Sequence, residues 1–301
     1  MSASFASALK AAQEAAASQH YPAGTLYIVA TPIGNLCDIS LRALHVLHLV
    51  DAIACEDTRH TQALLRAYGI DKPSAQLLAV HQHNETEAAQ NVVRRLQQGE
   101  RIAYVSDAGT PAISDPGARV VVAARAVGIP VVPLPGASSV TAALSAAGIV
   151  QDAGFVFIGF LPSKATERDN AALALLAEPR AVVLLEAPHR IEALARSLAC
   201  LGPRPVTVAR EITKQFEEIA TMPAQDVGAW LAAQSSRTRG EFVLVVHPAP
   251  PSEAPVQDLR VLKILLAELP LKTAVQLCAD ITGEPRKVLY AAALALKGED
   301  S

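Results

Sequence analysis

The 301-residue chain is poor in aromatics, in charge and in cysteine. Aromatic residues make up 4% and charged residues 18%, against 51% hydrophobic. A core built this way rests on Ala, Val and Leu, which suits packed helices and buried parallel strands. It is not the composition of a disordered chain. The net charge is −3 and the pI about 6.2, so the cationic excess on which a free nucleic-acid binder usually relies is missing. A polyanionic partner would have to meet a local basic patch or be recognised by shape. The four cysteines, Cys37, Cys55, Cys200 and Cys278, contain no C-x-x-C pair, which argues against zinc ligation. Cys37 and Cys55 sit in apolar surroundings and read as buried thiols, a usage that fits a reducing cytosol. No run approaches the roughly 18 apolar residues of a membrane span.

Several chemistry-bearing patterns are also missing. No G-x-G-x-x-G follows the first apolar run, so a Rossmann dinucleotide site is unsupported. No G-x-x-x-x-G-K-[ST] supports a P-loop, and no G-x-S-x-G supports an esterase elbow. His81 and His83 are too isolated for a metal pair and read as polar loop residues. No metal site is expected.

What is present is a β-α unit repeated five times. Short apolar runs at 24–30, 51–55, 77–80, 101–105 and 130–134 have strand length. Helical patterns follow each one. Ser40 is a candidate N-cap, with Asp38 competing, and Gly69 a candidate helix terminator. Such alternation predicts a mostly parallel sheet covered by helices over 23–148. The strand-end loops at 31–36, 56–59, 81–84, 106–117 and 135–139 would gather along one edge, where open α/β sheets bind ligands. A second α/β domain is expected over 149–248, with strands at 155–159, 181–185, 206–209 and 240–247. Residues 1–22, rich in Ala and Ser, read as a flexible extension outside the fold. A Pro-rich stretch at 247–255 reads as a stiff linker. Beyond it, 256–298 reads as a small domain of two or three helices, helix-turn-helix-like.

The loop from Val105 to Gly117 (VSDAGTPAISDPG) concentrates glycines, which let a backbone approach a ligand, and prolines, which hold the loop's shape. Loops with few charges suit a ligand bearing a ribose, an adenine edge and an amino-acid head. They would also tolerate a sulfonium. A phosphate would call for helix N-termini with Lys or Arg.

The motifs TPIGNL-x-DIS-x-RAL, EDTR-x-T-x-x-LL, VSDAGTP-x-ISDPG, PLPGASS, GF-LP, EAPHRI and RE-x-TK-x-FEE occur in this order. Together they resemble the family of ribose 2′-O-methyltransferases of small-subunit ribosomal RNA. That family falls within the tetrapyrrole-methylase-like class of S-adenosylmethionine enzymes. The resemblance covers about 24–247 and, more weakly, the C-terminal segment. It implies two α/β domains of tetrapyrrole-methylase type with the cofactor cleft between them, plus the small helical segment. It further implies a cytoplasmic homodimer that methylates a cytidine ribose in the decoding centre of 16S rRNA, within the assembled small subunit. Carried over by position, the donor would meet Pro32, Asp107, Ala108, Gly109, Thr110, Gly136, Ala137 and Ser138 from the first domain. From the second it would meet Leu161, Glu186, Ala187, Glu211 and Glu241.

Three residues in motif loops are candidates for a general base: Asp57, Lys164 and Lys214. Asp57 is equally placed to cap the helix starting at Thr58, and the lysines are suited to phosphate contact. Glu56 reads as a structural ion-pair partner of Arg59, and Asp115 as a helix cap. The expected RNA face comprises Arg59, Arg168, Arg190, Lys214, Arg237 and Arg239. Arg260, Lys263, Lys272, Arg286 and Lys287 of the C-terminal segment are suited either to RNA docking or to a stabilising or dimer-contact role. Two other functions compete: a tetrapyrrole or corrinoid C-methyltransferase, which needs a large apolar trough, and a non-catalytic nucleotide-binding assembly factor.

Overall fold

A computed structural model describes residues 5–81, 84–113, 115–150, 154–249 and 259–299. The chain divides into two compact units, Met1–Pro248 and Ala249–Ser301. His83, residues 151–153 of the expected inter-domain link, and most of the Pro-rich stretch lie outside the described residues.

The larger unit contains two five-stranded sheets. Strands β1 (Leu26–Val29), β2 (Ala52–Cys55), β3 (Leu77–Ala79), β4 (Ile102–Val105) and β5 (Val131–Leu134) form the first, in the order β3-β2-β4-β1-β5. All its pairings are parallel. Strand alternation sends Tyr27 and Val29 to one face and Leu26 and Ile28 to the other. The first face is covered by α2 (Leu41–Leu49) and α3 (Thr58–Ala67), the second by α4 (Glu85–Gln97) and α5 (Gly117–Ala126). Burial on both faces is why β1, β2 and β4 are continuous apolar runs. Each buried Val, Leu or Ile contributes about 1.5–3 kcal/mol from leaving water. Ser40 caps α2 through its side-chain oxygen, which accepts the Ala43 N–H, while Gly69 takes a left-handed φ of 76° after α3.

The extension expected to lie outside the fold instead forms α1 (Ala6–Ala16). Ala12 and Ala16 are buried against the first domain, and the Phe5 ring meets Tyr68 edge-on at 5.3 Å. Alanine lets two helices approach closely without showing a strong apolar stripe in the sequence. Cys37, expected to be buried, is exposed.

The second sheet comprises β6 (Phe155–Gly159), β7 (Ala181–Glu186), β8 (Pro205–Arg210), β9 (Glu218–Pro223) and β10 (Phe242–Val246), in the order β6-β7-β10-β8-β9. Only β6–β7 is parallel. Helices α7 (Ala165–Ala174), α8 (Ile191–Leu198) and α9 (Val227–Ala232) cover one face. The other is met by α6 (Ser139–Ala146), which follows β5, through Ala143 and Ala147 against Val183, Ala209, Val243 and Val245. This helix joins the two halves.

The smaller unit packs α10 (Leu259–Glu268), α11 (Leu271–Thr282) and α12 (Arg286–Glu299) around Leu262, Val275, Cys278, Leu289 and Ala293. No helix among the described residues is long and apolar enough to cross a membrane.

Candidate active site

In the first sheet β1 and β4 are neighbours, yet the chain leaves them in opposite directions, β1 towards β2 and β4 towards β5. Such a switch point opens a crevice at the carboxyl ends of the strands. Two backbone hydrogen bonds of 3.0 Å between Thr31 and Gly109 tie the two loops there together. Gly109 has a φ of 82°, a conformation glycine adopts without strain. Thr31 Oγ1 donates to the Ser106 carbonyl at 3.2 Å, and Thr110 Oγ1 to the Ala137 carbonyl at 3.0 Å. At Gly136 a Cβ would fall 2.8 Å from that of Ala30, so only glycine lets this loop close onto β1.

The second sheet supplies the opposite wall. Antiparallel register sets Phe242, at the start of β10, opposite Glu186 and Arg210, at the ends of β7 and β8. Two adjoining cavities result. One of about 390 Å³ is lined by Ile33 and Ala108 from the first half and by Phe160, Leu185, Glu186, Ala187, Ile212 and Phe242 from the second. Another of about 420 Å³ is lined by Glu56, Asp107, Ala108, Gly109, Thr110, Asp115, Ser138 and Phe157, among others. Ala108, Ser139, Phe160, Leu185 and Glu241 border both.

Thus Asp107, Ala108, Gly109, Thr110, Ser138, Glu186, Ala187 and Glu241 are brought together on the cavity walls. Ala137 and Leu161 act through their carbonyls, held by Thr110 and Arg190. Pro32, Gly136 and Glu211 adjoin wall residues without lining either cavity. Sequence reasoning missed the apolar walls, Ile33, Phe160, Leu185 and Phe242. Nothing in a short apolar run marks which residue faces a cleft. It also missed Glu56, whose expected ion pair with Arg59 does not form, because Arg59 pairs with Asp57 at 3.3 Å instead.

The charged lining is carboxylate throughout, joined by the hydroxyls of Ser106, Thr110, Ser138 and Ser139. Glu56, Asp107, Asp115, Glu186 and Glu241 face the two cavities, with no Lys or Arg among the described lining residues. An anionic, half-apolar cleft suits a sulfonium with an ammonium group and rejects a phosphate ligand. Glu186 is buried; its Oε1 accepts the Ala187 N–H at 2.9 Å and pairs with Arg190 at 3.0 Å. Its Oε2 has no partner among the described residues, so a donor N–H or O–H would complete it.

The proposed bases are otherwise engaged. Asp57 accepts the Arg59 and His60 N–H groups at 2.8 and 3.3 Å, the cap geometry of α3. Those bonds, with the Arg59 side chain, hold its carboxyl below the usual range. Lys164 pairs with Glu167 on the exposed start of α7. Lys214 Nζ sits between Glu211 (2.8 Å) and Glu241 (3.1 Å). Burial opposes its charge, but the two carboxylates outweigh burial and raise its pKa. Its stem packs on Gly34 of the first half, where a Cβ would lie 2.4 Å from Lys214 Cγ. Glu211 and Thr213 take left-handed φ of 52° and 68°, and Ile212 between them lines the cleft. Strain of this kind concentrates at functional sites.

The expected RNA face is partly dissolved. Arg190 is enclosed between Glu186 and the Leu161 carbonyl, and Arg237 between Glu218 and the Trp230 ring, 4.2 Å away. Arg168 is held by Ser197 and the Ser163 carbonyl, each at 3.0 Å. Arg59 and Arg239 remain exposed. Asp115 accepts from Tyr104, Ala112 and Gly117, fixing the entry to α5.

A family model described as Tetrapyrrole (Corrin/Porphyrin) Methylases matches residues 25–228. One described as RsmI C-terminal HTH domain matches 252–297. Among solved structures, a cobalt precorrin-4 methyltransferase superposes with TM-score 0.52 at 20% identity, covering 74% of this chain and 95% of that one. A diphthine synthase gives 0.55 at 14%, covering 74% and 90%. At such identities the superpositions speak for the fold alone. Fold, cleft and family model together define a methyltransferase of the tetrapyrrole methylase class, whose methyl donor is S-adenosylmethionine. The ribosomal RNA small subunit methyltransferase I of Pseudomonas aeruginosa is 49% identical over 286 residues, 92% of this chain and 99% of that protein. That of Escherichia coli O157:H7 is 48% identical, covering 91% and 96%. The chain belongs to the ribosomal RNA small subunit methyltransferase I family.

Proposed function

We propose that the protein transfers a methyl group from S-adenosylmethionine to the ribose 2′ oxygen of a cytidine in 16S rRNA. The rRNA is presented on the assembled small ribosomal subunit in the cytoplasm, and the enzyme works as a homodimer. The carrying observation is an anionic donor cleft at the strand ends of a chain about half identical, along nearly its whole length, to rRNA methyltransferases. The donor supplies an electrophilic methyl on a cationic sulfur. Asp107, Gly109, Thr110 and Ser138 from one half, and Glu186, Ala187 and Glu241 from the other, would hold it. Holding two partners in attack geometry supplies up to about 7–11 kcal/mol. The apolar surfaces of Phe160, Leu185 and Phe242 exclude water around the reacting groups.

A tetrapyrrole acceptor fits less well, because such macrocycles carry carboxylate side chains that the Glu and Asp residues of the cleft would repel. RNA phosphates would instead meet Arg59 and Arg239 and a groove on the smaller unit. That groove is lined by Lys272, Val275, Gln276, Arg286, Lys287 and Tyr290.

Methyl-labelled donor, incubated with unmodified small subunits and separately with naked 16S rRNA, tests this. Label on a cytidine ribose is expected, with particles preferred. No ribose label under saturating donor would sink the reading.

A further inference from the structure

We propose that Glu56 accepts the proton of the acceptor ribose hydroxyl, which enters at the Glu56 side of the 420 Å³ cavity that the donor loops also line. This rests on the ribose-methylation reading above. Glu56 directly follows β2, and the register Cys55↔Val105 sets it beside Ser106, at the root of the loop carrying Asp107–Thr110. Four carboxylates face this cavity, and three are committed. Asp107 accepts the Asp57 N–H at 3.2 Å, Asp115 accepts three donors, and Glu241 binds Lys214. The Glu56 carboxylate alone makes no hydrogen bond or ion pair among the described residues.

Its surroundings suit a base. Burial raises its pKa first, and the charges of Asp107 and Asp115 raise it further. The other titratable groups nearby are Tyr104, whose hydroxyl donates to Asp115, and Glu241 across the cavity. None is cationic. A carboxylate with a raised pKa is a stronger proton acceptor, closer to the working pH. The motif neighbours lack this property: Asp57 is tied down by its cap, and Lys214 is held protonated.

A nucleoside reaches such a cavity by leaving its stack, as bases do in enzymes that act on them. As the 2′ oxygen bonds to the methyl carbon, its proton passes to Glu56, and the sulfur keeps the electron pair of the broken C–S bond. Water then takes the proton from Glu56.

The test uses full-length Glu56→Gln and Glu56→Asp with small subunits as substrate. Donor affinity by calorimetry should stay within about threefold of wild type, which is under 1 kcal/mol. Single-turnover transfer by Glu56→Gln should fall by about 10²–10⁴-fold, with partial recovery in Glu56→Asp. The wild-type rate should fall as pH drops through the Glu56 titration, and Glu56→Gln should lack that limb. In donor-free protein labelled with ¹³C at glutamate carboxyls, one resonance, absent in Glu56→Gln, should titrate above the ordinary glutamate value. Transfer by Glu56→Gln within about tenfold of wild type, or that resonance titrating at or below the ordinary value, would overturn the assignment. Loss of donor binding in both variants would also overturn it and make Glu56 a donor ligand. Failure of the wild type to label ribose would instead remove the proposed function itself.

Discussion

Two neighbours in one motif, Glu56 and Asp57, carry the same charge and have opposite environments. Asp57 faces the amides that open α3, which stabilise its charge. Glu56 faces the cavity, where burial first and then the Asp107 and Asp115 charges destabilise its charge. That difference comes from where the strand ends, not from residue type, so the sequence alone could not rank them. Lys214 illustrates the same point. Its motif suggested a phosphate contact or a base, and the fold makes it a clasp between Glu211 and Glu241 that also packs on Gly34. Glu241 is largely exposed, so the Glu211 arm carries most of the stabilisation. Replacing Lys214 by Ala should cost about 1 kcal/mol in urea unfolding at neutral pH and weaken donor binding through Glu241. The Lys214 pKa is raised, so its contribution is complete below 10.5 and is lost as pH climbs through the folded value. The Glu211 pKa is lowered, mainly by Lys214 and against burial, so its contribution is present above 4.5 and is lost as pH falls through the folded value. The stability gap between wild type and Lys214→Ala should therefore be flat around neutrality and narrow below pH 4.5. A gap that stays constant through that acid range would show that packing on Gly34, not charge, is what Lys214 contributes.

At the scale of elements, the most consequential difference is α1. It packs on α2 and extends the cluster on that face of the first sheet through Ala12 and the Phe5–Tyr68 contact. Deleting residues 1–17 should lower stability by about 2–4 kcal/mol, judged by the apolar surface it uncovers. Donor affinity should be unchanged, because no α1 residue lines the cleft. Calorimetric melting checks this, and an unshifted transition would return the segment to a dispensable extension. The five parallel strands were legible to within two residues because each is a short apolar run punctuated by glycine or charge. Strand β9 was not. Its residues alternate between half-buried and exposed, it pairs only with β8, and an edge strand of that kind reads as a loop. The loop residues proposed to hold the donor could be located from their motifs, while the apolar half of the cleft needed the antiparallel register of β7 and β10.

Over the whole molecule, the net charge of −3 conceals a division of labour. The larger unit concentrates carboxylates in its cleft, the place proposed for a cationic donor. The smaller unit lines a groove with Lys272, Arg286, Lys287 and Tyr290, with no carboxylate among the described lining residues, although Arg286 pairs with Asp280 at 3.7 Å outside it. The three cations stand at the starts of α11 and α12, exposed and outside the core of Leu262, Val275, Cys278, Leu289 and Ala293. Replacing them should therefore leave the unit folded. Cations that neutralise phosphates release counterions, by about 0.7 per contact on single-stranded RNA. Full-length protein with Lys272, Arg286 and Lys287 all changed to Ala should bind rRNA with a salt dependence shallower by about 2 in log–log slope. Affinity at moderate salt should drop at least about tenfold, with donor affinity intact. Tyr290→Ala, which removes a half-exposed ring but no charge, should weaken binding by about 1–3 kcal/mol without changing the slope, if a base stacks there. The pair separates electrostatic docking from stacking. Unchanged slope and affinity in the triple variant would take the groove out of RNA recognition and leave the smaller unit a stabilising or dimer-contact role.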